Sequence, residues 1–134
     1  MSGPERAVVL YDRDCGFCRW SLAQVLAWDR RRRLCPVSLQ DPRARSLLGD
    51  MERERMFASA HLVTPDGAVH SGGDAIAPIL RLLPGGAPLA VVAGAMSGAA
   101  RVGYNWVARN RRLLGRPLPE WAKARATARI DRHV

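Results

Sequence analysis

Lysine is almost missing from this 134-residue chain: Lys123 is the only one, and every other basic side chain except three histidines is arginine. Long apolar runs are missing as well. The longest uncharged stretch, Leu82 to Ala100, is broken by Pro84, Gly85, Gly86 and Pro88, and the remainder is too short to span a bilayer. The first ten residues carry two charges and no long apolar run, so no secretory signal is expected. Three cysteines, an odd number, do not make a secreted disulfide framework. No internal repeat is visible, and no Walker spacing accompanies Gly72-Gly73. These absences leave one soluble, cytoplasmic domain with one core as the expectation.

What is present is unevenly placed. The formal charge is +9, of which residues 1–100 hold +2 and residues 101–134 hold +7. A basic end suits nucleic acid, anionic lipid or an acidic partner protein. No nucleic-acid module accompanies the charge, so a solvated, arginine-rich helical surface is the simpler expectation, with no specific nucleic-acid binding. An acidic partner at the basic C-terminal region stays open.

The most informative stretch is Tyr11-Asp12-Arg13-Asp14-Cys15-Gly16-Phe17-Cys18. The apolar run Ala7 to Leu10 before it reads as a buried strand, and the segment after it has helical periodicity. A Cys-x-x-Cys pair therefore sits where a strand hands over to a helix. There the unsatisfied N–H groups of the first turn stabilise a thiolate. Cys15 is expected to be the more exposed sulfur and the nucleophile. Cys18, one turn in, is expected to resolve the mixed disulfide. Gly16 lets a partner backbone approach, and Phe17 offers an apolar contact. Asp12 and Asp14 raise nearby thiol pKa values while Arg13 and Arg19 lower them.

Competing readings are a zinc half-site, a pair of inert cysteines, or a core Cys18 with an incidental Cys15. Zinc needs four ligands, and Cys35, His61, His70 and His133 have no paired spacing. Cys35 reads as a small buried hydrophobe, and His61 and His70 as surface or half-buried strand residues.

Along the chain the pattern predicts a strand over 6–11, then a helix over 15–30 buried through Cys18, Leu22, Val25 and Leu26. The run Arg30 to Arg33 is expected at that helix's negative end. A second strand follows over 34–39. A short helix comes next, with Asp41 as N-cap and Pro42 at its first position. Residues 50–56 read as helical or irregular. Pro65-Asp66-Gly67 joins the two arms of a hairpin, 59–64 and 68–71. A helix over 74–83 is followed by a short apolar helix within 84–96. A longer helix over 97–114 should bury Val102, Trp106, Leu113 and Leu114. A basic helix or frayed tail completes the chain. Strand–helix–strand followed by hairpin–helix is a thioredoxin-like order: an α/β fold with a four-stranded mixed sheet flanked by helices, plus an α-helical C-terminal extension.

Three segments resemble the DCC family of thioredoxin-like thiol–disulfide oxidoreductases. They are Val9 to Cys18, Asp66-Gly67 with Ser71-Gly72-Gly73-Asp74-Ala75, and Tyr104 to Arg111 with Gly115-Arg116. The resemblance spans about residues 7–116. It implies a thioredoxin-like domain over 1–116 and a basic tail, helical or partly disordered, over 117–134. A truncation after Arg116 is therefore expected to keep fold and activity. It carries the redox pair onto Cys15 and Cys18, with Tyr11, Asp12, Asp14, Gly16, Phe17, Gly73 and Asp74 as supporting residues. Arg13 stands where the family has glycine, and a need for positive φ there would strain it. Ser59-Ala60-His61 occupies the region where thioredoxin-like enzymes place a cis-proline.

The expected function is dithiol–disulfide exchange on a disulfide- or thiol-containing substrate, in the first instance a protein, with no metal or organic cofactor and no membrane span. The rival is a catalytically silent module that docks through its basic C-terminal helices.

Overall fold

The computed structural model describes residues 6–133. Residues 1–5 and 134, which fall in the expected N-terminal segment and C-terminal tail, lie outside the described residues. The frame is a four-stranded mixed sheet, order β2-β1-β3-β4, built from β1 (Ala7–Tyr11), β2 (Leu34–Ser38), β3 (His61–Val63) and β4 (Val69–Ser71). β1 runs parallel to β2, with Val9 opposite Pro36, and antiparallel to β3, with Val9 opposite Leu62. β3 and β4 form the hairpin, and Gly67, at φ +88°, closes its turn by donating its N–H to Thr64 O (2.8 Å).

All five residues of β1 are buried, as expected for a central strand with both faces covered. Side chains alternate between two cores. Ala7, Val9 and Tyr11 join Leu22, Leu26, Leu34 and Leu62 on one face. Val8 and Leu10 join Val37, Leu39, Leu48, Met56 and Val63 on the other. Cys35, half-buried, packs against this second core.

The helix after β1, α1 (Gly16–Trp28), stops short of the arginine run. Asp29 ends it: its buried carboxylate accepts from the N–H groups of Arg33 (3.1 Å) and Leu34 (2.9 Å), turning the chain into β2. Arg30 to Arg33 therefore lie beyond the helix rather than in its last turn. Arg32 there is the one described non-glycine residue at positive φ (+52°). Arg13 is not, so the proposed strain at that position is absent. Its N–H instead donates to Gln40 Oε1 (3.1 Å).

The capped helix α2 (Pro42–Leu48) forms as the sequence indicates, with Asp41 accepting from Arg43 N–H (2.9 Å). It is followed by α3 (Arg53–Ala58). A 3-10 turn (Gly72–Ala75) then leads into α4 (Ile76–Leu82) and α5 (Ala87–Ala95).

The expected helix over 97–114 is two helices, α6 (Ser97–Arg109) and α7 (Arg111–Gly115). Asn110 separates them. Its side chain donates to Trp106 O (2.7 Å), and its backbone N–H is shared between Trp106 O and Val107 O. Val102 and Trp106 are exposed, not buried, because α6 turns Tyr104, Val107 and Ala108 inward instead, and Leu113 on α7 is exposed as well.

The last helix, α8 (Glu120–His133), lies along α1. Ile130 enters the first core beside Leu22 and Leu26. His133 Nε2 reaches Asp29 Oδ2 at 2.8 Å. A division at 116/117 thus separates in sequence what the fold packs together. Among the described residues no helix is long and apolar enough to cross a membrane.

His61 is buried rather than surface or half-buried. It pairs with Ser71 Oγ (2.7 Å) and the Met56 carbonyl (2.9 Å), and burial pushes its pKa down. His70 pairs in register with Leu62, whereas His61 pairs with Ser71. Among the described residues no three His, Cys, Asp or Glu side chains gather into a metal-binding group.

Candidate active site

The buried strand β1 delivers Tyr11 and Asp12 to its C-terminal edge, where the parallel β1–β2 pair opens. Asp12 then organises the loop. Its Oδ1 accepts from Asp14 N–H (3.0 Å), and its carbonyl accepts from Cys15 N–H (3.2 Å). Gln40, from the loop after β2, donates to Asp12 Oδ1 (2.8 Å) and Asp14 Oδ2 (3.3 Å) while accepting from Arg13. A single amide side chain therefore fixes the loop preceding the pair.

Cys15 is the N-cap of α1, with extended backbone, and its Sγ accepts from Cys18 N–H at 3.2 Å. A sulfur in that position replaces the capping oxygen of a Ser or Asp and takes up an otherwise unpaired helix donor. Hydrogen bonding from the Cys18 thiol lowers the Cys15 pKa most. The Cys18 N–H and the Arg111 guanidinium add to this, against burial and the Asp12 charge. The result is a shift from the ordinary 9.0 to about 6. Cys18 moves the other way, well above its ordinary value: its hydrogen bond to Cys15, burial and the Cys15 charge all keep its proton on. The two environments push the pair apart, one thiolate and one thiol.

Cys15 is only 8% exposed as a whole residue, and Cys18 is half-buried, opposite to the expected ranking. The C-terminal region crowds this turn. The Lys123 stem lies so close over Gly16 that a Cβ there would meet Lys123 Cε at 2.9 Å, and Gly115 packs on Phe17. Around the sulfurs themselves burial runs the other way, greater at Cys18 than at Cys15.

Arg111 was not legible as a site residue. From α7 it donates to Phe57 O (2.8 Å), pairs with Asp12 Oδ2 (3.5 Å) and places Nη1 3.9 Å from Cys18 Sγ. It also stands between two hollows. One, of about 260 Å³, borders Cys15 and is lined by Asp14, Gly16, Arg112, Arg116 and Lys123. The other, of about 370 Å³, borders Cys18 and runs between α1, α4 and α6, walled by Phe17, Val25, Trp28, Ile79, Leu80 and Tyr104. Ala60, just before β3, opens onto this second cavity, and its N–H is taken by Tyr104 Oη (2.9 Å). No cis peptide occurs among the described residues.

Tyr11, Asp12, Gly16 and Phe17 thus lie beside the pair, and Asp14 lines the Cys15 hollow. Gly73 and Asp74 do not border either hollow. A Cβ on Gly73 would lie 2.6 Å from Arg101 Cα, and Asp74 pairs with Arg101 at 2.6 Å. Their role is to seat α6, which in turn presents Tyr104.

A family model, that of the DCC1-like thiol-disulfide oxidoreductases, matches residues 9–117. The chain belongs to this family. The matched range takes in the Cys loop, Gly73, Tyr104 and Arg111. Lys123 and the rest of α8, which cover the pair from outside, fall beyond it. No curated protein and no solved structure gives a significant match.

Proposed function

We propose that this DCC1-like protein is a dithiol–disulfide oxidoreductase, with Cys15 as nucleophile and Cys18 as resolving thiol. The observation that carries the reading is the Cys15 sulfur capping α1 on the Cys18 N–H, which favours a thiolate at neutral pH. In the forward step the Cys15 thiolate attacks one sulfur of a substrate disulfide. The S–S bond breaks, and the departing thiolate takes a proton from water. The Cys15 charge is then gone, and with it the main cause holding the Cys18 proton. Arg111, 3.9 Å away, favours the new thiolate. Cys18 attacks Cys15 Sγ, the second substrate thiol leaves with the Cys18 proton, and the protein holds a Cys15–Cys18 disulfide. The direction is set by the reduction potential of the pair against that of its compartment.

The substrate is a thiol- or disulfide-bearing molecule, with protein as the first candidate. The apolar cavity beside Cys18 supports an apolar substrate group next to the resolving sulfur, while charged side chains line the hollow at Cys15. A reducing compartment, the cytoplasm, is proposed because three cysteines, an odd number, do not make a secreted disulfide framework. Residues 1–116 are proposed to carry the chemistry and residues 117–134 to shield it.

The test is a single turnover. Pre-reduced protein mixed with excess hydroxyethyl disulfide should release two thiols per chain and become resistant to alkylation at Cys15 and Cys18. Cys15→Ser should release none. Cys18→Ser should release one and keep a mixed disulfide on Cys15. Unchanged thiol release from Cys15→Ser would end the proposal and favour a silent binding module.

A further inference from the structure

The α5–α6–α7 side of the molecule is at odds with a water-facing surface. Val91 is 71% exposed and Val102 70%, and Leu89, Val92, Met96, Trp106 and Leu113 are each more than half exposed. Scattered exposed apolar residues are ordinary, but seven large ones on consecutive helices are a patch that needs a partner. Charge selects among partners. From Ala75 to Pro119 the chain contains six arginines and no acidic residue. Arg101 is committed to Asp74 and Arg111 to Asp12. Arg109, Arg112 and Arg116 make no ion pair among the described residues, and all three are exposed. Arg109 and Arg112 lie on the same helices as Val102, Trp106 and Leu113, and Arg116 directly follows α7. α5 itself carries no charge at all.

We propose that this face docks the protein on an anionic lipid bilayer. Aliphatic side chains of α5 and Trp106 enter the headgroup–acyl boundary, and the arginines of α6 and α7 meet lipid phosphates. Helices that lie in an interface combine these two features: an apolar face and cations around it. A second copy of the chain fits less well. A two-fold interface would set this acid-free, arginine-bearing surface against itself, and like charges across an interface are repulsive. Among the described residues no helix is long and apolar enough to cross a membrane, and the attachment proposed is peripheral. Because α7 carries Leu113 on the docking face and Arg111 at the Cys pair, docking also brings the redox site close to the lipid surface.

The test is co-sedimentation of the full chain with vesicles. Phosphatidylglycerol-containing vesicles should retain it, vesicles of phosphatidylcholine alone should not, and raising salt should weaken the binding. The double variant Val91→Glu/Val92→Glu should lose binding on the order of tenfold per valine. Its circular dichroism and single-turnover thiol release should stay unchanged, since both positions are exposed and remote from the sulfurs. Arg109→Gln should weaken binding at low salt and flatten its salt dependence. Equal retention by both vesicle types, or no retention by either, would overturn the proposal. So would a concentration-dependent dimer abolished by Val91→Glu/Val92→Glu without vesicle binding, which would assign the face to self-association. Selective capture by an acidic polypeptide such as polyglutamate, with no vesicle binding, would overturn it in favour of a protein partner.

Discussion

Replacing Ile130 by alanine asks whether α8 belongs to the fold. Ile130 is 3% exposed and touches the core that contains Leu22 and Leu26 of α1. Removing three buried carbons from such a site costs transfer free energy plus a cavity, about 3 kcal/mol. At this chain length that corresponds to a fall in Tm of about 10 °C. Thermal and urea unfolding of the reduced protein, followed by circular dichroism, would measure both quantities. Arg129→Ala, on the exposed side of the same helix, is the control and should stay within about 0.5 kcal/mol of the parent. The variant should also alkylate faster at Cys15, because loosening α8 lifts the Lys123 stem from Gly16. Truncation after Arg116 goes further. It uncovers Leu22 and Leu26, removes Ala126 and Ile130, and leaves the Asp29 carboxylate without His133. It should fail to fold cooperatively, contrary to what the family-like boundary suggests. An Ile130→Ala variant within 0.5 kcal/mol of the parent, or a truncated chain with the parent's Tm, would refute the packing argument.

Four further outcomes follow from the structure. The rate of Cys15 carboxymethylation should track thiolate with a midpoint near pH 6; a midpoint at the ordinary thiol value would contradict the capping geometry. Because the Cys15 pKa in the folded protein lies below its unfolded value of 9.0, the unfolded chain binds more protons between pH 6 and 9. The reduced protein should therefore gain stability across that window and lose the gain as pH falls through about 6, whereas the oxidised protein should show no such slope. Arg111→Met should raise the Cys15 midpoint and slow thiol release at pH 7; an unchanged profile would leave Arg111 with a packing role only. Gly73→Ala should destabilise by about 1–3 kcal/mol, since the added carbon meets the α6 backbone, and a neutral result would mean that α6 sits farther from the 3-10 turn.

Local signals carried the sequence reading a long way. An apolar run followed by helical periodicity placed the Cys pair between β1 and α1, and Asp41-Pro42 marked the start of α2 to the residue. The failures share a cause: each depends on a partner far away in the chain. Gln40 gains its role only when β2 lies beside β1, and Arg111 only when α7 reaches Asp12 and Phe57. For α6 the periodicity offered two stripes. Larger side chains favoured the one through Val102 and Trp106, but α6 packs against the 3-10 turn, and Tyr104 and Val107 face inward. The α8 contact was hidden by its small residues. Ala122 and Ala126 face α1 and contribute little to a count of large apolar side chains, so the segment read as a basic helix or frayed tail although Ile130 enters the core. Arg13 was judged by what the family has there, while its backbone N–H is held by the Gln40 side chain from the loop after β2.

The central claim concerns two sulfurs acting as one redox couple, and an equilibrium titration against glutathione tests it most directly. The protein is equilibrated over a range of reduced-to-oxidised glutathione ratios, quenched by acid and alkylated, and the state of each cysteine is read by peptide mass. The account predicts a single two-electron transition in which Cys15 and Cys18 disappear together into an intramolecular disulfide while Cys35 remains free. Glutathionylation of Cys15 without closure onto Cys18 at any ratio, or pairing of either residue with Cys35, would contradict it.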